Sequence, residues 1–316
     1  AKLTVKWDEK VKRVSVCALE VFESPRYFEV MIKGRSYKEV PYFAQRICGI
    51  CNVAHLVGST LAVENALKVE VTEQTKLLRE LLVLGGIMHS HVLHLYMLAL
   101  PDYLGYESVL DMTGKHLKLI KKSIELKEVG NDVVSVIGGR PIHPVTSVVG
   151  GFTKFPKREE INVLISKLEK AKKLAVETFE LFNSLQTLKH EFKTEFMSLF
   201  KQNEYPLLEG NIRTLSGFEF RPKDYQKHLK ERVIKHSTSK HVTFRNKSFM
   251  VGPLARINIH PETLSKDARK LLKKSKLKLP SYNVYDANLA RAIEVVHCID
   301  RMLEILSNLK IRNEKI

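Results

Sequence analysis

Residues 72–100 constrain the fold more than any other stretch. Apolar side chains recur at Leu77, Leu78, Leu81, Leu82, Leu84, Met88, Val92 and Leu95. A stripe that wide predicts a helix buried on most of its sides, and Thr72 is placed to cap its first turn. Such a helix needs other helices around it. The expected class is therefore α+β, predominantly α, with a buried helix bundle. Gly85 and Gly86 weaken or kink a helix interior unless another element packs close, so they predict a crowded crossing. His89, His91 and His94 fall in the same apolar region. Core histidines bonded to backbone or carboxylate explain them better than direct metal ligation, and the pattern singles out none of the three.

The first 24 residues alternate instead. Leu3, Val5 and Trp7 point one way, Asp8-Glu9-Lys10 offers a turn, and Val11 to Phe22 resumes an extended pattern, which together predict a small antiparallel β-hairpin. Cys17 in its second strand reads as a buried free thiol. Pro25 breaks the pattern, and Met31 to Ser36 reads as a short connection around Gly34. Further on, Val133 to Ile137 reads as a short strand. Gly138-Gly139 and Gly150-Gly151 bracket Arg140, Pro141, His143 and Pro144 in a fixed, irregular loop. That loop lacks the lysine and hydroxyl residue of a phosphate-binding loop. Helical spacing returns from Lys157 to about Phe200 through Leu164, Leu168, Leu174, Phe179 and Phe182. Between 201 and 260 the extended pieces His241–Phe244 and Ser248–Val251 are expected to pair across Arg245-Asn246-Lys247. Tyr282 to Leu309 closes the chain with a stripe of Leu289, Ile293, Val296, Leu303 and Leu306. No linker or internal repeat divides the sequence. One domain over 1–316 is expected: a hairpin at about 1–24, a helical core at about 52–200 and 282–310, and a peripheral mixed region with short strands at about 201–280.

Chemistry concentrates in Arg46-Ile47-Cys48-Gly49-Ile50-Cys51, with His55 four residues on. Gly49 lets the backbone turn tightly between the thiols. The run that follows is helical, which places Cys51 in a first turn or just ahead of it, where the helix N-terminus favours thiolate over thiol. Thiolates bind soft transition metals, and His55 would share a face with Cys51. An isolated CxxC is otherwise half of a zinc site or a dithiol redox pair. A zinc site would want a second such pair, a thioredoxin-like pair would want a βαβ context, and haem attachment would want CxxCH. Spacing alone favours metal binding of some kind and does not name the metal.

Arg46 to Cys51 followed by His55 resembles the first cysteine motif of the large subunit of nickel–iron hydrogenases. Other stretches match that family in the same order. They are Pro25-Arg26-Tyr27-Phe28-Glu29 with Gly34-Arg35, His89-Ser90-His91 through His94-Leu95-Tyr96 to Pro101-Asp102, and Gly138-Gly139-Arg140-Pro141-Ile142-His143-Pro144 with Gly150-Gly151. Val251-Gly252-Pro253-Leu254-Ala255-Arg256 and Asn288-Leu289-Ala290-Arg291-Ala292-Ile293-Glu294 complete the set. The match runs from about residue 3 to 309 and looks most like the cytoplasmic F420-non-reducing and sulfhydrogenase types.

The resemblance implies a nickel held by four thiolates, two of them shared with an iron carrying small diatomic ligands. Cys48 would match the terminal nickel ligand, Cys51 the bridging one, and His55 the residue bonded to the bridging sulfur. Arg46 would brace the motif loop, and Ile50 would line a route for gas or simply pack. H2 would be split heterolytically and the electrons would leave through iron–sulfur clusters of a small subunit. The helix bearing the three histidines would pack beside the metals, and the loop of His143 would lie towards the small subunit.

Two family motifs have no counterpart in residues 1–316: an Arg-x-Glu-Gly-His stretch at the start and a second CxxC near the end. Cys298 stands alone in a helical stretch. The expectation is a large subunit lacking both edges of its active site, with the second CxxC truncated, carried on another chain as a C-terminal fragment, or lost. Retention of Cys48 and Cys51 ranks loss last. The other reading is a non-catalytic, hydrogenase-like scaffold or assembly subunit. The related subunit of complex I, which lacks these cysteines, keeps the fold without the metal.

The net charge of +17 invites a nucleic-acid reading. The cations, however, lie along amphipathic segments such as Lys167–Lys173 and Lys266–Lys278, without the interleaved aromatics of a stacking platform. Solvated helix faces, or a surface for an acidic partner, are the expectation. The 44% hydrophobic content suffices for a core. No apolar run is expected to span a membrane. Four cysteines without an extracellular framework suggest reduced thiols and a cytoplasmic setting.

Overall fold

A computed structural model describes residues 1–23 and 25–315. The N-terminal alternation forms β1 (Lys2–Asp8) and β2 (Arg13–Glu20), an antiparallel pair with a bulge between Lys6 and Trp7. Its apolar face points outward: Leu3, Val5 and Trp7 are each more than half exposed, while Ala18 on the other face is buried. Cys17 pairs with Val5 on the outward face and is exposed, not the buried thiol expected. Alternation fixes which residues share a face, but not which face meets the core.

Short helices α1 (Pro25–Met31) and α2 (Val40–Ala44) lead to the cysteine motif, and α3 (Asn52–Leu67) begins directly after it. The apolar stripe forms α4 (Glu73–Leu93), and the Thr72 hydroxyl caps it by accepting the Thr75 amide at 3.1 Å. The helix runs straight through Gly85-Gly86. Its interruption comes later, at the π-turn His94–Ala99 that precedes α5 (Leu100–Leu104). Pro101 has no N–H to return to the preceding turn, and its ring needs room there, so the helix widens. From Glu73 to Leu104 the helix spans 32 residues and is long and apolar enough to cross a membrane by length and composition, contrary to expectation. Most of its apolar window is buried inside this fold instead.

The glycines serve the crossing with α6 (Leu117–Gly138). A Cβ on Gly130 would lie 2.9 Å from the His89 amide nitrogen and 3.0 Å from the Gly85 carbonyl oxygen. Val133 to Ile137 is no strand but the last part of α6, with Val133, Val134 and Ile137 fully buried. Packing overrides the β-propensity of such a run. Beyond α6, the loop makes a two-residue pair, β3 (Ser147–Val148) with β4 (Gly151–Phe152). A buried ion pair fixes it. Arg79 Nη1 and Nη2 reach the two Glu64 oxygens at 2.7 and 2.6 Å, and Nη2 also donates to the Val148 carbonyl at 3.0 Å. The Gly150 amide donates to Glu64 at 2.7 Å. One carboxylate thus joins α3, α4 and the Gly-Gly loop.

The helix expected to reach Phe200 is α7 (Arg158–Ser184), and its continuation is a strand, β5 (Glu195–Phe200). Phe192, Phe196 and Phe200 keep a spacing of four that imitates a helix. In the structure β5 pairs with β6 (Asn211–Thr214), which pairs with β7 (Glu219–Phe220). After α8 (Tyr225–His228), β8 (Leu229–Ile234) pairs with β9 (Ser237–Phe244), and β10 (Phe249–Met250) joins β5 in parallel. The expected pairing of His241–Phe244 with Ser248–Val251 shrinks to one bridge, Phe244 to Lys247, around Arg245 and Asn246 at positive φ. Phe244 packs with Met197 and Phe220 in a small second core, and the chain then departs to β5.

The last elements are α9 (Pro253–Ile259), α10 (Lys266–Lys274) and α11 (Asp286–Asn308). α11 is buried along most of its length and packs on α4, α7, α9 and α10. One contiguous apolar core runs through α3, α4, α6, α7, α9 and α11, and the cysteine motif sits at its edge.

Candidate metal centre

A turn of 3-10 helix, Gln45–Ile47, delivers the chain to Cys48 in an extended conformation (φ −145°, ψ 134°), and Cys51 stands immediately before α3. The reversal through Gly49 and Ile50 turns two amides onto one sulfur: those of Ile50 and Cys51 donate to Cys48 Sγ at 3.4 and 3.2 Å. Cys51 Sγ lies 3.5 Å from His55 Nε2, one turn along α3. The structure therefore brings Cys48, Cys51 and His55 together.

Their acidities differ. Burial opposes ionisation of Cys48, but the Cys51 thiol and the two amides outweigh it and hold Cys48 below the ordinary thiol range. Burial, and then the hydrogen bond and charge of Cys48, push Cys51 up to about 11. The motif's own turn thus favours thiolate at Cys48, not at Cys51 as expected. Cys51 adjoins the helix, yet its side chain accepts none of the α3 amides. Burial lowers His55, which keeps the imidazole neutral at neutral pH.

Arg46 is exposed and enters none of the described hydrogen bonds or ion pairs of the motif. The brace is Asn52, which is fully buried. Its Nδ2 donates to the Gly49 carbonyl at 2.7 Å, and its Oδ1 accepts the His143 amide at 3.0 Å. The Arg140 guanidinium donates to the His143 carbonyl. His143 thus serves through its backbone. Asn52 carries only a weak signal in the sequence, that of a polar residue on the first turn of a helix whose inner face must be buried.

A cavity of about 490 Å³ opens beside Cys51. Val53, Ala54, Ile87 and Leu207 give it apolar walls, and His91 and Arg256 give it a polar edge. Ser198, Leu199, Ile212, Leu229 and Phe249 line it as well, so the mixed region reaches the site. Behind the polar edge lies Glu294, fully buried on α11. Arg256 donates to it from Nε and Nη2 at 2.6 and 2.7 Å, and His91 Nε2 lies 2.7 Å from Oε2. The Tyr205 hydroxyl donates to the same carboxylate.

Two sulfurs, one of them favouring thiolate, suit a soft metal such as nickel and supply half of a four-thiolate shell. Cys17 is exposed on β2 and Cys298 is buried in α11. Among the described residues no group of three or more His, Cys, Asp or Glu side chains could hold a metal.

The sequence profile of the nickel-dependent hydrogenase family matches residues 26–132. The chain is 34% identical over 301 residues to the alpha subunit of sulfhydrogenase 1 from Pyrococcus furiosus, across 95% of this chain and 70% of that protein. It is 30% identical over 346 residues to a subunit of the F420-non-reducing hydrogenase vhu from Methanocaldococcus jannaschii, across 100% of this chain and 81% of that protein. Among solved structures, an NAD+-reducing NiFe hydrogenase in the H2-reduced state gives a TM-score of 0.88 at 25% identity, over 99% of this chain and 77% of that one. The Ni-Fe-Se hydrogenase from Desulfomicrobium baculatum shares the fold, with a TM-score of 0.76 at 21% identity over 98% of this chain and 77% of that one. The chain belongs to the large-subunit family of nickel-dependent hydrogenases.

Proposed function

We propose that this chain supplies two thiolates, Cys48 and Cys51, to the nickel–iron centre of a hydrogenase large subunit. In that reading it works in H2 oxidation or proton reduction with an iron–sulfur small subunit. The carrying observation is the motif geometry, in which two amides converge on the Cys48 sulfur and an imidazole meets the Cys51 sulfur, inside a chain of this family. When bound, such a centre supplies a soft metal pair with small diatomic ligands, at which H2 is polarised and its electrons are collected.

The chain's own residues prepare that chemistry. The Ile50 and Cys51 amides stabilise negative charge on the Cys48 sulfur. His55 restrains the lone pairs of the Cys51 sulfur and tunes how much electron density it can give. Asn52 holds the loop in register with the Gly-Gly segment, so both sulfurs are placed before any metal arrives. Apolar walls beside Cys51 limit competing water. The shell needs two further thiolates, which a second CxxC on additional polypeptide provides in this reading. Iron–sulfur clusters in the small subunit, with further electron-transfer subunits, take the electrons, and four free thiols suit a reducing, cytoplasmic setting.

The two-thiolate count also favours the other reading, a non-catalytic scaffold or assembly subunit. Nickel analysis and H2-dependent dye reduction on the native complex separate them. Near-stoichiometric nickel, with dye reduction lost in Cys51→Ser, supports the hydrogenase. A complex without nickel and without dye reduction supports the scaffold.

A further inference from the structure

One buried set of titratable groups has no part in holding metal. Glu294 accepts hydrogen bonds from Arg256, His91 and Tyr205. Burial would raise its carboxyl, but the Arg256 guanidinium, helped by His91, more than reverses that and holds it far below the usual range. The carboxylate therefore carries no proton and can only accept. His91 must then donate from Nε2, and in a neutral imidazole this leaves the Nδ1 lone pair as acceptor. His91 is neutral, because burial together with Arg256 and Arg291 outweighs the pull of Glu294. The groups around the ring are Glu294 and Arg291 from α11, Arg256 from α9, and His89 and His94 from its own helix and π-turn. His91 and Arg256 line the cavity that Cys51 also lines. An imidazole fixed in one tautomer by a buried carboxylate is an arrangement suited to taking up and returning protons.

We propose that His91 carries protons into and out of the cavity beside Cys51, with Glu294 as its positioning residue. A proton from the cavity forms an N–H bond at Nδ1, the imidazolium charge is balanced by Glu294, and the same bond breaks when the proton is returned to water at the cavity mouth. No electrons move at His91. The source of the proton, H2 cleavage or its reverse, rests on the hydrogenase reading; the pair itself does not.

Nitrogen NMR on the metal-free full chain with labelled histidine tests the pair without any variant. The expected result is a neutral His91 with its proton on Nε2, titrating at Nδ1 on acidification, and losing its fixed tautomer in Glu294→Gln. A proton on Nδ1 in the wild type, or a ring that never titrates, overturns the proposal. In the native nickel-loaded complex, His91→Gln should lower H2-dependent dye reduction on the order of a hundredfold and flatten its pH profile at unchanged nickel content. An unchanged rate and profile in that variant also overturns it. A wild-type complex that loads nickel yet ignores H2 contradicts the hydrogenase reading, while the NMR result still decides the pair.

Discussion

Asn52 Oδ1 accepts the His143 backbone amide at 3.0 Å, which ties the first turn of α3 to a loop 91 residues further along the chain. The same side chain holds the Gly49 carbonyl between the two thiols. Both bonds are made by a fully buried amide, and Asn52→Ala would leave the Gly49 oxygen and the His143 N–H to find water. The expected loss is about 1–3 kcal/mol, read as a drop of several degrees in melting temperature. An unchanged melting temperature would mean that the loop is held by other contacts.

Glu64 and Arg79 are a second joint, buried at 4% and 1% exposure. Removing one partner leaves the other charge uncompensated, so Glu64→Leu or Arg79→Met alone should destabilise by about 3–5 kcal/mol. The double variant should recover much of that loss. Chemical denaturation of the three variants checks it, and strict additivity of the two single effects would refute the coupling.

The helix crossing makes a graded prediction. A Cβ at Gly130 meets the backbone nitrogen of His89 at 2.9 Å, whereas one at Gly86 meets only the Val53 side chain, at 3.1 Å. Gly130→Ala must force α4 and α6 apart and is expected to cost about 1–3 kcal/mol. Gly86→Ala can be relieved by a side-chain shift, and its added helix propensity works in its favour. Melting curves that rank Gly86→Ala as the more damaging change would contradict this packing.

Acid should loosen the bundle. His89, His94 and His297 are each lowered from 6.5 to about 4, with burial the largest cause in all three. Their folded-state values lie below the unfolded one, so the stability they contribute is whole above about pH 6.5. It is lost as pH falls towards 4, because the unfolded chain takes up protons that the folded chain refuses. His94 is only half-buried and contributes least. Urea midpoints should decline steadily from pH 7 to 4, and a flat series would show that these rings are hydrated.

Much of this was legible in the sequence. The stripe of α4, the stripe of α11 and the pair Cys48 and Cys51 with His55 are local patterns, set by helical periodicity and short spacing, and the structure keeps each of them. What escaped depends on distant partners. Val133 to Ile137 look like a strand until α4 and α7 bury them as helix. Cys17 looks buried until the hairpin is seen to turn its apolar face outward. β10 abandons its neighbour for β5 because Phe244 is taken by a separate core. Asn52 acts by reaching His143, and Arg256 and His91 by meeting at Glu294, none of them near neighbours in sequence.

X-ray absorption at the nickel edge of the native complex is the most direct test. If both sulfurs of this motif bind the metal, the wild type shows a sulfur-dominated nickel shell, and Cys48→Ser and Cys51→Ser each lose sulfur scattering or lose nickel altogether. Full nickel with an undiminished sulfur shell in both variants would contradict the assignment of these two residues.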